Sequence, residues 1–304
     1  MSHRGGYLRS QEEVLSGFDE WARASDLVRA AVLTSSRANP ERETDFLSDY
    51  DIELYVADLE PFRKDDGWMN DLGPIMVRWP YRPRSTGKDG WITRLVLFSD
   101  GVRIDFQVTD QTVIAAGAYD DDYGILIDKE NMTRGLNAPT HTEHVVKRPT
   151  REEYDTLVHE FWWDAAYVPK YLWRDELPFA ASMLGQSVRD RYLRMVIEWF
   201  IGLRRNWSVN TGVYGRKFKR YLDDRTWSEY TSTFAGADTE ENWQAFFNAV
   251  TLFGRLARTV ADELGYEYPM QLDREMTDYY SRIRTCERGT GEPPAVGSGY
   301  KPRA

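Results

Sequence analysis

The stretch VLTSSRANPERETDFLSDYDIEL (32–54) sets out a strand, a small-residue turn, a loop and a second strand. The apolar run VRAAVLT (28–34) reads as a buried strand and stops at Ser35-Ser36. The run YDIELYV (50–56) alternates, with Tyr50, Ile52, Leu54 and Val56 on one face and Asp51, Glu53 and Tyr55 on the other. Extending it back by one residue puts Asp49 on the side of Asp51. At ~3.4 Å per residue, the two carboxylates start roughly 7 Å apart along the backbone. From there their arms can converge on one or two divalent ions, which two-metal sites hold roughly 3.5–4 Å apart. Hard oxygen ligands with a triphosphate partner select Mg²⁺ over zinc.

Downstream, ITRLVLF (92–98) and VRIDFQV (102–108) flank Ser99-Asp100-Gly101, and Asp-Gly between two such runs is a hairpin signal. In the second run Val102, Ile104, Phe106 and Val108 share a face, and Arg103, Asp105 and Gln107 share the other. Asp105 is the third acid. Three carboxylates on neighbouring strands repel one another unless a cation neutralises them, which is the reason to expect metal. An Arg103–Asp105 pair is set aside, because the two are i and i+2 on one strand; a cross-strand ion pair is the alternative use of Asp105. The turn at Ser35 and Ser36 lets backbone N–H groups approach a polyphosphate, and Arg37 adds a charge-assisted contact. The alternatives are a plain turn and solvated strand-edge acids.

Upstream, Ser10 and Glu13 have capping-box spacing, and Val14, Phe18, Trp21 and Ala22 follow at helical spacing. After about residue 130 the composition changes. The stretch NAPTHTEHVVKRPT (137–150) lacks periodicity and reads as a linker, and His141 and His144 within it read as structureless. Thr150 with Glu153 repeats the capping-box spacing and opens a helix through Ala165. A second helix carries Val188, Tyr192, Val196, Trp199 and Leu203, and a third runs from Trp243 to Leu264 and stops at Gly265. With 304 residues, about two domains are expected. The reading is an α+β protein: a mixed β-sheet flanked by helices over residues 1–136, a linker over 137–150, a helical bundle over 151–287 and a disordered tail over 288–304.

Lys and Arg number 39 against 49 Asp and Glu, a net charge of −10 that disfavours nucleic acid and favours cationic partners. A single cysteine, Cys286, gives no internal disulfide and no zinc cluster. No run of 18 apolar residues spans a membrane, and MSHRGGYLRSQEEV lacks the apolar core of a signal peptide. A cytoplasmic protein is expected.

The small-Ser turn, the Asp-x-Asp strand and the later strand acid together resemble the nucleotidyltransferase superfamily. More closely, LTSSRANP, DYDIELYV and RIDF are similar to the aminoglycoside 6-adenylyltransferases, also called streptomycin adenylyltransferases. HEFWWDAAYVPKYLWRDELPFA (159–180), RMVIEWFIGL (194–203) and GVYGRKFKRYL (212–222) resemble that family's helical domain. The resemblance covers about residues 8–285.

It implies Mg²⁺-dependent transfer of AMP from ATP to an aminoglycoside hydroxyl, typically the 6-hydroxyl of streptomycin, with release of pyrophosphate and loss of antibiotic action. Asp49 and Asp51 then bind metal (two Mg²⁺ ions), and Asp105 is a metal ligand or the base that takes the hydroxyl proton. Ser35, Ser36 and Arg37 face the nucleotide; Arg216, Lys219 and Arg220 match the family's basic run and neutralise pyrophosphate, the alternative being a solvated helix face. Glu160, Asp164, Trp173 and Glu176 are candidates for a cationic acceptor, each with a plain surface or packing alternative. The chain departs from the family at Ser35, where Gly is usual, and at Val213, where Lys is frequent. If that Gly serves a positive φ, Ser35 weakens nucleotide binding. The alternatives to the aminoglycoside reading are another acceptor and a catalytically weakened nucleotide-binding or regulatory homologue.

Overall fold

The computed structural model describes residues 8–39, 44–83, 90–119, 122–140, 142 and 145–287. The expected tail from 288 and the two linker histidines, His141 and His144, lie outside these residues. The chain divides into two compact units, Met1–Glu143 and His144–Ala304, and the division falls inside the stretch expected to be a linker.

The first unit opens with helix α1 (Gln11–Ala24). Its capping box forms as expected: the Ser10 hydroxyl accepts from the Glu13 N–H at 3.2 Å, and the Ser10 N–H donates to the Glu13 carboxylate at 2.7 Å. Strand β1 (Val28–Thr34) and strand β2 (Tyr50–Val56) follow with the bounds the alternation suggests. Next come the short helix α2 (Glu60–Lys64), β3 (Ile75–Trp79), β4 (Trp91–Phe98), β5 (Arg103–Thr109) and β6 (Tyr123–Asp128). The strand order is β3-β4-β5-β2-β1-β6. All neighbours are antiparallel except β2 and β5, so the sheet is mixed. The β4–β5 hairpin turns at Gly101, whose φ of +90° suits glycine. Strands β3 and β6, the two edges, have no counterpart in the sequence reading.

The alternation of β2 and β5 separates two faces. On one, Ile52, Leu54, Ile104 and Phe106 pack with Val14, Phe18 and Ala22 of α1, all buried. Burying such side chains supplies roughly 1.5–3 kcal/mol each, the main force holding α1 to the sheet. On the other face a smaller cluster gathers Ala30, Val32, Tyr55, Ile114 and Tyr119. The acids of β2 and β5 share this second face.

The second unit is helical: α3 (Arg151–Ala165), α4 (Tyr167–Trp173), α5 (Leu177–Ser182), a π-helical stretch over Met183–Leu193, α6 (Arg194–Arg204), α7 (Phe218–Tyr221), α8 (Asp224–Thr231), α9 (Thr239–Leu264) and α10 (Met270–Thr285). The Thr150–Glu153 capping box forms at the start of α3. Helix α9 ends where expected, with Gly265 left-handed at φ +71°. The second expected helix is two conformations end to end, since Val188 and Tyr192 lie in the π-helical stretch and Val196, Trp199 and Leu203 in α6. The core closes with Phe161 of α3 stacked on Phe253 of α9 at 3.5 Å, and with the Tyr280 hydroxyl donating to the Trp162 carbonyl at 2.7 Å. Among the described residues no helix is long and apolar enough to cross a membrane.

Candidate active site

Strand β1 hands the chain to the acids. Thr34, its last residue, stands opposite Asp51, so the next residue is delivered beside that carboxylate. Ser35 takes φ +63° there, and the nearness of its hydroxyl favours the charged form of the Asp51 carboxyl. An L-residue in this region costs roughly 1–2 kcal/mol relative to right-handed backbone. The glycine that the family usually carries fits this positive φ; here a serine adopts it and adds a donor.

Arg37 holds the approach to β2. Its Nε lies 3.1 Å from the Ser48 carbonyl and 3.2 Å from that of Asp49. Nη2 donates to the carbonyls of Asp45 (2.9 Å) and Ser48 (2.7 Å), and Nη1 to the Gln11 side chain (2.8 Å). The guanidinium also lies over the Tyr50 ring at 4.0 Å. These bonds position the backbone of Asp49; they are a different use of Arg37 from the phosphate contact expected for it. Ser36 follows Ser35 in the same short 3₁₀ turn, partly exposed.

Asp51 pairs directly with Asp105 in the parallel β2–β5 register. Asp49 precedes β2 on the same side. Burial pushes the Asp49 and Asp51 carboxyls above their ordinary range, and the Asp105 carboxylate adds to both; Arg103 opposes the shift at both, and the Ser35 hydroxyl opposes it at Asp51. The site therefore carries more negative charge than its surroundings solvate.

The Arg103–Asp105 pair that spacing argued against is present. Nε and Nη2 of Arg103 bind the two Asp105 oxygens at 2.9 and 2.7 Å, and Nη1 lies 3.5 Å from Asp49. Residues i and i+2 share a face of a strand, and the long arginine arm folds along it to the shorter aspartate. Among the described residues no three His, Cys, Asp or Glu side chains come close enough to hold a metal ion. The three acids are thus brought to one face without closing into a ligand cluster, and a guanidinium lies beside two of them.

Glu53 is a fourth carboxylate on this face. The Tyr119 hydroxyl donates to it at 2.5 Å, and the Tyr55 hydroxyl lies 2.7 Å from that of Tyr119. Burial raises the pKa of both tyrosines, so they stay neutral donors. The alternation of β2 already placed Glu53 beside Asp51, whereas Tyr119, 66 residues away in sequence, left no local signal.

In the helical unit, Glu160 and Asp164, one turn apart on α3, line a hollow of about 560 Å³ with His159, Trp163, Arg191 and Tyr192. Tyr192 donates to Asp164 at 2.6 Å, and Arg191 to Glu160 at 2.9 Å. Trp163 is 73% exposed, a flat apolar face beside two acids. Trp173 and Glu176 do not line this hollow. The Trp173 indole donates to the Cys286 carbonyl and the ring packs on the helical core, while Glu176 is exposed at the start of α5. Arg216, Lys219 and Arg220 are exposed around α7. Gly215 ahead of them has φ +71°, and a Cβ there would meet the Phe218 ring at 2.5 Å.

The mixed sheet thus presents Asp51 against Asp105, with Asp49 alongside and a hydroxyl-bearing turn at the end of β1. A family model for streptomycin adenylyltransferase matches residues 8–283. The chain belongs to that family, and is an enzyme of the adenylyltransferase class. It is 31% identical over 288 residues to the aminoglycoside 6-adenylyltransferase of Bacillus subtilis (strain 168), covering 91% of this chain and 98% of that protein. The protein of the same name from Campylobacter jejuni is 28% identical over 280 residues, covering 90% and 96%. That from Staphylococcus aureus is 26% identical over 269 residues, covering 86% and 94%. A crystal structure of an aminoglycoside 6-adenyltransferase from Bacillus subtilis matches at 26% identity with a TM-score of 0.45, covering 92% of this chain and 100% of that one.

Proposed function

We propose that the protein transfers AMP from ATP to a hydroxyl of a cationic aminoglycoside, streptomycin at its 6-hydroxyl, releasing pyrophosphate and inactivating the antibiotic in the cytoplasm. The single observation that carries this reading is the apposition of Asp51 and Asp105 across β2 and β5 with Asp49 alongside. The similarity to aminoglycoside 6-adenylyltransferases over nine-tenths of the chain supports the acceptor class.

The donor set suits Mg²⁺: the oxygens are hard, Asp49 and Asp51 are destabilised as free anions, and a cationic side chain already lies against the group. Asp49, Asp51 and Asp105 would hold one or two such ions, which when bound offset charge on the α-phosphoryl group and the departing pyrophosphate. Arg37 holds the backbone carbonyl of Asp49, so the start of β2 is set before substrate arrives, and the Ser35 hydroxyl favours the charged form of Asp51. Asp105 is either one of these ligands or, once its oxygens are clear of Arg103, the carboxylate that accepts the proton of the attacking hydroxyl. Ser35 and Ser36 lie beside the phosphates, and Arg216, Lys219 and Arg220 supply positive charge to pyrophosphate. Glu160 and Asp164, with Trp163 as an aromatic face, recognise the acceptor's cationic groups; Trp173 and Glu176, outside this hollow, are not assigned to the acceptor.

The test is mass spectrometry of streptomycin incubated with protein, ATP and Mg²⁺. A gain of one AMP, with pyrophosphate formed in equal amount, is expected. Pyrophosphate formed only with another hydroxyl compound would replace the acceptor, and no pyrophosphate with any acceptor would overturn the reading.

A further inference from the structure

The cation in the acid site comes from the strand that carries Asp105. Arg103 begins β5, two residues before Asp105 and on the same face. Its guanidinium binds both Asp105 oxygens and extends a third nitrogen toward Asp49. Its side chain is 46% exposed, and its charged partners are the carboxylates of Asp105, Asp49 and Asp51. The contrast with Arg37 is sharp, since Arg37 is fixed by backbone carbonyls and an aromatic ring and touches no carboxylate oxygen of the site. One arginine builds the site and the other neutralises it.

A guanidinium and a divalent ion compete for the same carboxylate, because like charges at short range repel and Arg103 already engages one lone pair on each Asp105 oxygen. We infer that Arg103 is a placeholder cation: it neutralises Asp105 and Asp49 while the site holds no metal, and a divalent ion competes with it for Asp105. This rests on the reading of the three acids as metal ligands. Arg103 is accordingly a positioning residue that sets how tightly the site takes up metal.

The experiment is a titration of Mn²⁺ into nucleotide-free full-length protein, followed by the electron paramagnetic resonance signal of the free ion. It compares wild type, Arg103→Gln and Arg103→Lys. Arg103→Gln is expected to bind Mn²⁺ roughly three- to fivefold more tightly than wild type, the factor set by removing an exposed ion pair. Arg103→Lys keeps the charge and is expected to stay closer to wild type. Wild type binding Mn²⁺ with Arg103→Gln equal to it or weaker would overturn the placeholder role alone. Failure of every form to bind Mn²⁺ would overturn it together with the metal reading of Asp49, Asp51 and Asp105.

Discussion

Asp51 and Asp105 stand opposite each other across the one parallel strand pair of the sheet. Parallel neighbours need a long connection, and here the chain makes β3 and the β4–β5 hairpin before returning beside β2. The consequence is electrostatic. Two carboxylates 54 positions apart in the sequence become neighbours, and with Asp49 they concentrate charge at the edge of a small apolar cluster.

Asp51→Asn tests that concentration. Turnover should fall at least ~100-fold, the scale of a lost electrostatic contribution in a site of this kind. The same variant should be more stable without metal or nucleotide, because the desolvated anion facing Asp105 is gone. A rise of about 2–4 °C in the thermal midpoint corresponds to roughly 1 kcal/mol. Calorimetry and a steady-state assay on one preparation check both halves; turnover near normal would remove Asp51 from the site.

The pH dependence of stability follows with a definite sign. Asp49 and Asp51 have folded pKa values raised above the ordinary 3.8. Over the window from there up to their raised values, the native state binds more protons than the unfolded chain, so their contribution to stability is present at low pH and is lost as pH rises. Thermal midpoints measured in chelator from about pH 4 to about pH 7 should show this loss, and Asp51→Asn should show less of it.

Ser35 separates backbone from hydroxyl. Ser35→Gly relieves the left-handed strain and removes the hydroxyl near Asp51; Ser35→Ala keeps the strain and removes the hydroxyl. The glycine variant should therefore unfold at higher urea than the alanine variant, by about 1 kcal/mol. Its ATP affinity, measured by calorimetry, should equal or exceed that of wild type. A large loss would show that the serine hydroxyl is itself required by the nucleotide.

The hollow on α3 makes a prediction about the acceptor. Asp164→Asn should raise KM for streptomycin several-fold, on the order of 1 kcal/mol for one charged contact, with KM for ATP little changed. Glu176→Gln, at an exposed position outside the hollow, should raise the acceptor KM by less. Equal effects of Asp164→Asn on both substrates would argue against acceptor binding there.

Arg94 and Asp66 form an ion pair at 2.5 Å with both side chains wholly buried. Arg94 also donates to the Phe62 carbonyl at 3.1 Å, so it ties β4 to the segment around α2. Arg94→Ala strands a buried carboxylate and should cost about 3–5 kcal/mol in urea unfolding. Arg94→Met combined with Asp66→Leu should recover much of that loss, because no wholly buried charge then remains and Arg78, the other partner of Asp66, is partly exposed.

Much of the fold was legible in the sequence because its signals are local. Ser10 with Glu13 and Thr150 with Glu153 declare helix starts within four residues. The alternation over 50–56 and 102–108 assigns each side chain to a face, and Asp100-Gly101 closes the hairpin. Those same periods put Asp49, Asp51 and Asp105 on the polar faces of strands. The π-helical stretch escaped notice because its apolar spacing differs too little from that of an ordinary helix.

What the sequence by itself determined, then, is that α1, α3 and α9 are helical, that β1, β2, β4 and β5 are extended, and which carboxylates share a face. Only the tertiary structure decided that β2 lies parallel to β5, that Ser35 reaches Asp51, that Arg37 is turned to the backbone of Asp49 and that Arg103 folds onto Asp105. The reason is physical. Periodicity is written in contacts a few residues apart, whereas strand partners and the ends of long charged side chains are settled by competition among groups distant in sequence, which no local pattern records.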